Sequence, residues 1–312
     1  MRVVDLPCLE HTAVHKTGAS WMASLAEAQK NHVKEFVSKI KAQSELSPND
    51  SPRLAGFVLD TFVLAMNDLA AEFGVPWPFM TSRKRISLCT KTRSDAELEI
   101  PSLVNRLPAK LLPSLVFNRE SLPIFLGAAR RLKHARGILI NTFKELESHA
   151  INSLSKGEIP PVYPLGPVVI CKGNSYDVGS SQINDYKDIM QWLDDQPPCS
   201  VVFLCFGSWG SFSVDQVKEI AYALEQCGHR FLWCLREPPC KGAIGEIVSS
   251  DDIKRGLKLQ MENGSEIRKK VKEMSQLSRK ALMEDGSSYS ALTRLIEDVM
   301  DNIAWHDCSL LS

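Results

Sequence analysis

The sequence predicts an α/β fold in two domains, on three observations. Short apolar runs of strand character (LAGFVLD at 54–60, GILIN at 137–141, VVFLCF at 201–206, FLWCLR at 231–236) alternate with segments of helical period. Such alternation builds parallel sheets through crossover helices, and the crossovers are right-handed in nearly every case. The length, 312 residues, suits two domains at about 150 residues each. A proline-rich stretch, IPPVYPLGPVV, falls between two such α/β patterns, and it reads as an interdomain linker near residues 160–180.

Composition narrows the function classes. Lys+Arg and Asp+Glu are 37 each, so the net charge of zero gives no electrostatic footprint for nucleic acid or an anionic membrane. The nine cysteines contain no CxxC pair and are odd in number, which suggests neither a zinc site nor a secreted disulfide framework. Reduced thiols in a cytoplasmic protein are the simplest reading. The opening MRVVDLPCLEHTAVHK has no apolar core after a basic start, and no later run reaches the roughly 18 apolar residues that span a bilayer, so neither targeting nor anchoring is expected.

In order along the chain, residues 17–44 have the period of an amphipathic helix, and Ser47–Arg53 breaks it. A buried-strand run ends on Asp60. Residues 61–73 carry apolar positions at helical spacing and stop at Gly74, a good residue just past a helix end, before Val75 and Pro76 begin an extended piece. Arg83–Arg93 is basic and lacks either period, so it reads as an exposed loop or junction. A helix over 120–135, the GILIN strand and a helix over Phe143–Leu154 complete the first half.

The second half repeats the pattern, with a helix over 185–195, the VVFLCF strand and a helix over Val214–Cys227. Ser213 is placed to cap that helix and Gln216 to reach back in a capping box, while Val217, Ile220, Ala221 and Leu224 form its apolar stripe and Gly228 ends it. FLWCLR supplies the next strand.

The loop between that strand and helix, Gly207-Ser208-Trp209-Gly210-Ser211, holds the chemistry-bearing candidates, because ligands of open parallel sheets sit beyond the carboxyl ends of the strands. Glycines let the backbone approach a ligand, the free N–H groups of a helix start favour anions, and the hydroxyls of Ser208 and Ser211 can donate to phosphate oxygens. A nucleotide diphosphate suits such a site. Spacing alone leaves a second reading open, a tight turn whose serines merely cap the helix; the loop is neither a P-loop nor GxGxxG. Asp60 likewise reads as the cap of a helix from Thr61 or as a functional carboxylate at a strand's end. Trp192 and Trp233 read as core, and Arg268–Lys280 as a solvated amphipathic helix.

QWLDDQPPCSVVFLCFGSWGSFSVDQVKEIAYALEQCGHRFLWCLR closely resembles the opening of the C-terminal domain in plant family-1 UDP-dependent glycosyltransferases. RLAGFVLDTFVLAMNDLAAEFGVP, ARGILINTFKELESHAI, VYPLGPVV and the tail from IRKKVKEM to DNI are collinear with further segments of the group that glucosylates flavonoids and related phenolics. The resemblance implies a GT-B architecture, two Rossmann-like domains facing a cleft: residues 1–165 on the acceptor side and 166–312 on the nucleotide-sugar side, the latter incomplete and closed by helices within 265–303. It implies glucosyl transfer from UDP-glucose, a co-substrate, to a small hydrophobic acceptor, with no metal and no resident cofactor. In that family an N-terminal histidine takes the acceptor's proton and an aspartate orients it; Asp60 matches the aspartate. Such a carboxylate selects the imidazole tautomer and favours the imidazolium that forms. Gly207, Ser208 and Ser211 match the loop that contacts the donor diphosphate.

Three departures accompany the match. The sequence begins after the family's glycine-histidine loop, so the base has no matching residue, and His11, His15 and His32 lie in a different segment. After FLWCLREPP the family's donor signature, including HCGWNS, is absent, with a junction near Cys240–Gly245. A shorter gap falls at Arg83–Arg93. The expectation is a family member impaired in turnover, the alternative an inactive homologue that binds hydrophobic small molecules or a related protein.

Overall fold

The computed structural model describes residues 19–46, 54–60, 63, 66–75, 79–82, 96–112, 122–156, 159–169, 180–207, 211–236, 247–262 and 265–309. The expectations for Ser47–Arg53, Arg83–Arg93, the Cys240–Gly245 junction, His11 and His15 lie outside these residues. The chain divides into two compact units, residues 1–169 with 276–312, and residues 170–275.

In the first unit, β1 (Val58–Asp60), β2 (Phe79–Ser82), β5 (Ile138–Ile140) and β6 (Val162–Pro164) form a parallel sheet in the order β1-β2-β5-β6. Between β2 and β5 in the chain, β3 (Glu97–Leu98) and β4 (Leu107–Pro108) make a separate antiparallel pair. Helix α1 (Ala19–Leu46) is tied to α2 (Asn67–Glu72) by ion pairs Lys30–Asp68, at 3.2 Å, and Lys34–Glu72. α2 ends in a turn through Gly74, whose φ of 67° is left-handed and suits glycine, with Val75 N–H donating back to Ala70 O at 3.0 Å. α3 (Leu122–Leu132) and α4 (Lys144–Ser155) flank β5 in the chain.

The proline-rich stretch is not simply a linker. Its VYP segment is β6, buried at all three positions and, among the described residues, paired with β5 alone. A sheet-edge strand tolerates Pro164 because the missing N–H faces away from the ladder. Tyr163, 1% exposed, forms the core with Phe79 and Leu295. Leu295 comes from α9 (Ser287–Ser309), which the sequence places in the second domain; by contact, residues 276–312 group with the first unit. The physical reason is a set of contacts to β6 and its neighbours. Tyr163 Oη donates to Asp298, the Arg294 guanidinium donates to Val162 O at 2.7 Å while lying 4.8 Å over the Tyr163 ring, and Ser288 Oγ donates to Gly166 O at 2.5 Å.

The second unit holds α5 (Ser180–Asp194), β7 (Val201–Cys205), α6 (Val214–Cys227), β8 (Arg230–Cys234), α7 (Ser250–Met261) and the start of α8 (Glu266–Ala281). β7 and β8 pair in parallel over five register positions, the βαβ unit expected. Leu204, Ile220 and Leu224 form its core, with Val202, Trp233, Ile253 and Leu257 packed around them. Trp233 is thus part of the core periphery, whereas Trp192 is 38% exposed, contrary to the core reading; it sits on α5, where neighbouring Ile189 and Met190 are also exposed. Along α8 the apolar positions divide: Ile267 and Val271 are exposed, Met274 is half-buried and Ala281 is buried.

α6 has the bounds read from the sequence, and its caps explain why. Ser213 Oγ accepts from Gln216 N–H at 3.2 Å, and Gly228 closes the helix at φ 69°. The buried stripe is Gln216, Ile220, Ala223 and Leu224; of the expected positions Val217 is only half-buried and Ala221 is exposed. The Gln216 side chain does not reach back to the cap. Its amide donates to Val248 O at 3.0 Å and accepts from Val248 N–H at 2.8 Å, so it clamps the segment leading into α7. Two backbone partners satisfy the buried amide more fully than one cap N–H would.

Candidate functional site

The sequence-predicted residues fall at the carboxyl ends of parallel strands, one group in each unit. In the first unit Asp60 is the last residue of β1, half-buried, in register with Thr81 of β2. Asp60 O accepts from Val63 N–H at 2.9 Å and Val63 O from Met66 N–H at 3.0 Å. α2 then starts at Asn67 with Met66 at its cap position. The capping reading concerns a helix from Thr61, which lies outside the described residues; α2 itself begins seven positions after Asp60. His32 lies on α1 beside Glu35.

Around the same sheet end, Asn141 follows β5 and acts on the backbone as Gln216 does. Its Nδ2 donates to Val168 O at 3.3 Å and its Oδ1 accepts from Val168 N–H at 2.7 Å. Gly166 N–H donates to Thr142 O at 2.8 Å, and a side chain at Gly166 would stand 2.6 Å from Thr142 N. Glycine is required there by close backbone approach. The sequence signal was the asparagine directly after an apolar strand, a residue type that pairs readily with backbone.

In the second unit Gly207 follows β7 at φ 84°, a left-handed conformation, in open space. Its glycine is required by backbone angle, not by crowding. Ser208, Trp209 and Gly210 lie outside the described residues, and Ser211 is exposed. Phe206 and Phe212 meet edge-to-face with centroids 4.6 Å apart, closing the base of the loop. Sequence reading missed this pair, although two phenylalanines flanking a glycine-serine loop are visible. At the amino end of α6 Ser213 Oγ caps Gln216 N–H, and the positive end of the helix dipole and the Asp215 carboxylate set the local field. Such an arrangement can present a backbone turn and a hydroxyl to an oxyanion. Among the described residues, no group of three or more His, Cys, Asp or Glu is placed to hold a metal ion, and no helix is long and apolar enough to cross a membrane.

No protein-family model matches the chain. Individual relatives do. Anthocyanidin 3-O-glucosyltransferase 6 of Manihot esculenta is 38% identical over 395 aligned residues, covering 89% of this chain and 98% of the relative. UDP-glucose flavonoid 3-O-glucosyltransferase 6 of Fragaria ananassa is 37% identical over 415, covering 96% and 85%. A crystal structure of a UGT transferase from Siraitia grosvenorii in complex with UDP superposes with a TM-score of 0.75 at 29% identity, covering 95% of this chain and 89% of that one. In both sequence alignments more than a quarter of the aligned length holds residues of the relative with no counterpart in this 312-residue chain. By identity, coverage and fold together, the chain belongs to the plant family of UDP-dependent glycosyltransferases, with the GT-B fold.

Proposed function

We propose that the chain descends from enzymes that move glucose from UDP-glucose to a hydroxyl of a small hydrophobic plant acceptor such as a flavonoid, and that its own turnover is impaired. The observation that carries the lineage is a collinear alignment, 38% identical, that spans 98% of a named glucosyltransferase. In this reading Asp60, at the end of β1, keeps the position of the carboxylate that orients the family's histidine base, for which this sequence has no matching residue, while Gly207, Ser208 and Ser211 meet the donor diphosphate beside the amino end of α6. UDP-glucose enters as co-substrate, no metal is assigned, and the cytoplasm is the compartment, on the reading of the cysteines as reduced thiols.

Impairment is supported by the second unit. Its sheet has two strands among the described residues, and Phe203 on β7 is 61% exposed. Nucleotide and sugar contacts orient the donor, and lost orientation is worth several kcal/mol of barrier. The same observation favours a second reading, an inactive homologue that retains acceptor binding or pairs with a relative.

The test is UDP release from UDP-glucose by the purified, monodisperse 312-residue chain across a flavonol panel, with mass detection of glucosides and an active relative as control. Turnover matching the relative's refutes impairment. Saturable flavonol binding without UDP release supports the second reading, and absence of both agrees with impairment while refuting retained acceptor binding.

A further inference from the structure

At the carboxyl ends of the paired strands, Cys205 of β7 is the register partner of Cys234 of β8. Register partners on adjacent strands point to the same side of a sheet, and alternation along each strand sorts the faces. One face carries Val202, Leu204 and Trp233, packed with Ile220 and Leu224 of α6 and Ile253 and Leu257 of α7. Cys205 and Cys234 fall on the opposite face, alongside Phe203, and both thiols are exposed. Free cysteine is ordinarily among the most buried residue types. Here two stand side by side, open to small reagents.

We infer that Cys205 and Cys234 form a vicinal dithiol site that closes reversibly to an interstrand disulfide in exchange with a low-molecular-weight disulfide of the glutathione class. Neighbouring strands lie about 4.8 Å apart, inside the roughly 4.4–6.8 Å Cα separation that a disulfide spans. The two strand ends are suited to the small adjustment closure needs. Beyond Cys205 the chain turns away through Gly207 at φ 84°, and the ladder ends at the Cys205–Cys234 pair.

The exchange balances without a further oxidant. One cysteine thiolate attacks a sulfur of oxidised glutathione, forming a mixed disulfide and releasing one glutathione thiolate. The second cysteine thiolate attacks the protein sulfur of that mixed disulfide and releases the other. Two S–H bonds of the protein are lost, two S–H bonds of glutathione are gained, and the protons pass to the released thiolates. Two other cysteines of this unit are placed differently: Cys199 precedes the opposite end of β7, and Cys227 Sγ donates to Leu224 O at 3.1 Å at the end of α6. An exposed disulfide between sheet neighbours belongs to the readily reduced class, which suits a reversible switch beside the Gly207 loop.

The full chain is incubated with oxidised glutathione, its free thiols are trapped with iodoacetamide, and the digest is mapped by mass spectrometry. The expected product is one linked peptide pair containing Cys205 and Cys234, two hydrogens lighter than the separate peptides and resolved by dithiothreitol. In Cys205→Ser the expected product is Cys234 carrying a single glutathione. Phenylarsine oxide, which needs two neighbouring thiols, is expected to protect both cysteines from alkylation in the parent chain and to lose that protection in either single serine variant. Separate glutathionylation of both cysteines without a linked pair, or linkage of either to a different cysteine, overturns the inference. So does alkylation of both in the presence of the arsenical.

Discussion

Replacing Gln216 by glutamate and by alanine separates two roles for one side chain. A capping box is served as well by glutamate as by glutamine, and a carboxylate in the first turn gains from the helix dipole, so that role predicts a neutral or stabilising Gln216→Glu. The structure predicts the reverse. Gln216 is 8% exposed and its amide both donates to Val248 O and accepts from Val248 N–H. Glutamate keeps the acceptor but sets a carboxylate oxygen against a carbonyl; alanine removes both bonds. Each bond contributes about 0.5–1.5 kcal/mol net. Val248 itself is 51% exposed, so water replaces part of what alanine removes, and the lower end, about 1 kcal/mol for the pair, is expected. About 1 kcal/mol of opening free energy is roughly fivefold faster amide exchange. The assay is hydrogen exchange read by mass spectrometry over the peptide from Val248 to Leu257, with peptides of β5 as internal reference. Both variants are expected to accelerate exchange there while leaving the reference unchanged. Unchanged or slower exchange in Gln216→Glu would refute the clamp.

Leu224→Ala removes a side chain 1% exposed at the centre of the second unit's core, and a loss of about 3 kcal/mol is expected by denaturant titration of that unit's fluorescence. A side chain at Gly137 would stand 2.6 Å from the Tyr163 ring and 2.9 Å from that of Phe79. Gly137→Ala is therefore expected to cost about 1–3 kcal/mol by overpacking, and a melting temperature equal to the parent's would contradict this. Burial, followed by its hydrogen bond to Asp298, pushes the Tyr163 phenol up to about 12. A raised folded value means the contribution is fully present below the unfolded value near 10 and is lost as pH rises toward 12. Across that window the parent is expected to lose stability relative to Tyr163→Phe in urea titrations, and parallel curves would refute it.

The βαβ unit of the second half was legible almost to the residue. Ser213, the apolar stripe and Gly228 act within one or two turns of helix, so the information that starts and stops α6 lies in neighbouring residues. β6 was not legible as a strand, because Pro164 and its proline neighbours read locally as a break, and only pairing with β5 at a sheet edge makes the segment extended and buried. At the candidate site, Asp60 and Gly207 were visible as strand-end residues, while the Phe206–Phe212 pair and the Asn141 clamp required coordinates.

By itself, the sequence determined the alternation of strands and helices, the position of the glycine-serine loop before α6, and the family, since these rest on local periodicity, capping and collinear segments. The tertiary structure decided where α9 belongs and what Gln216 does. Tyr163 and Asp298 are 135 residues apart, and Gln216 and Val248 are 32 apart. Contacts of that separation are selected by which apolar faces bury one another and which buried polar groups find partners, and no short stretch of sequence names its distant partner.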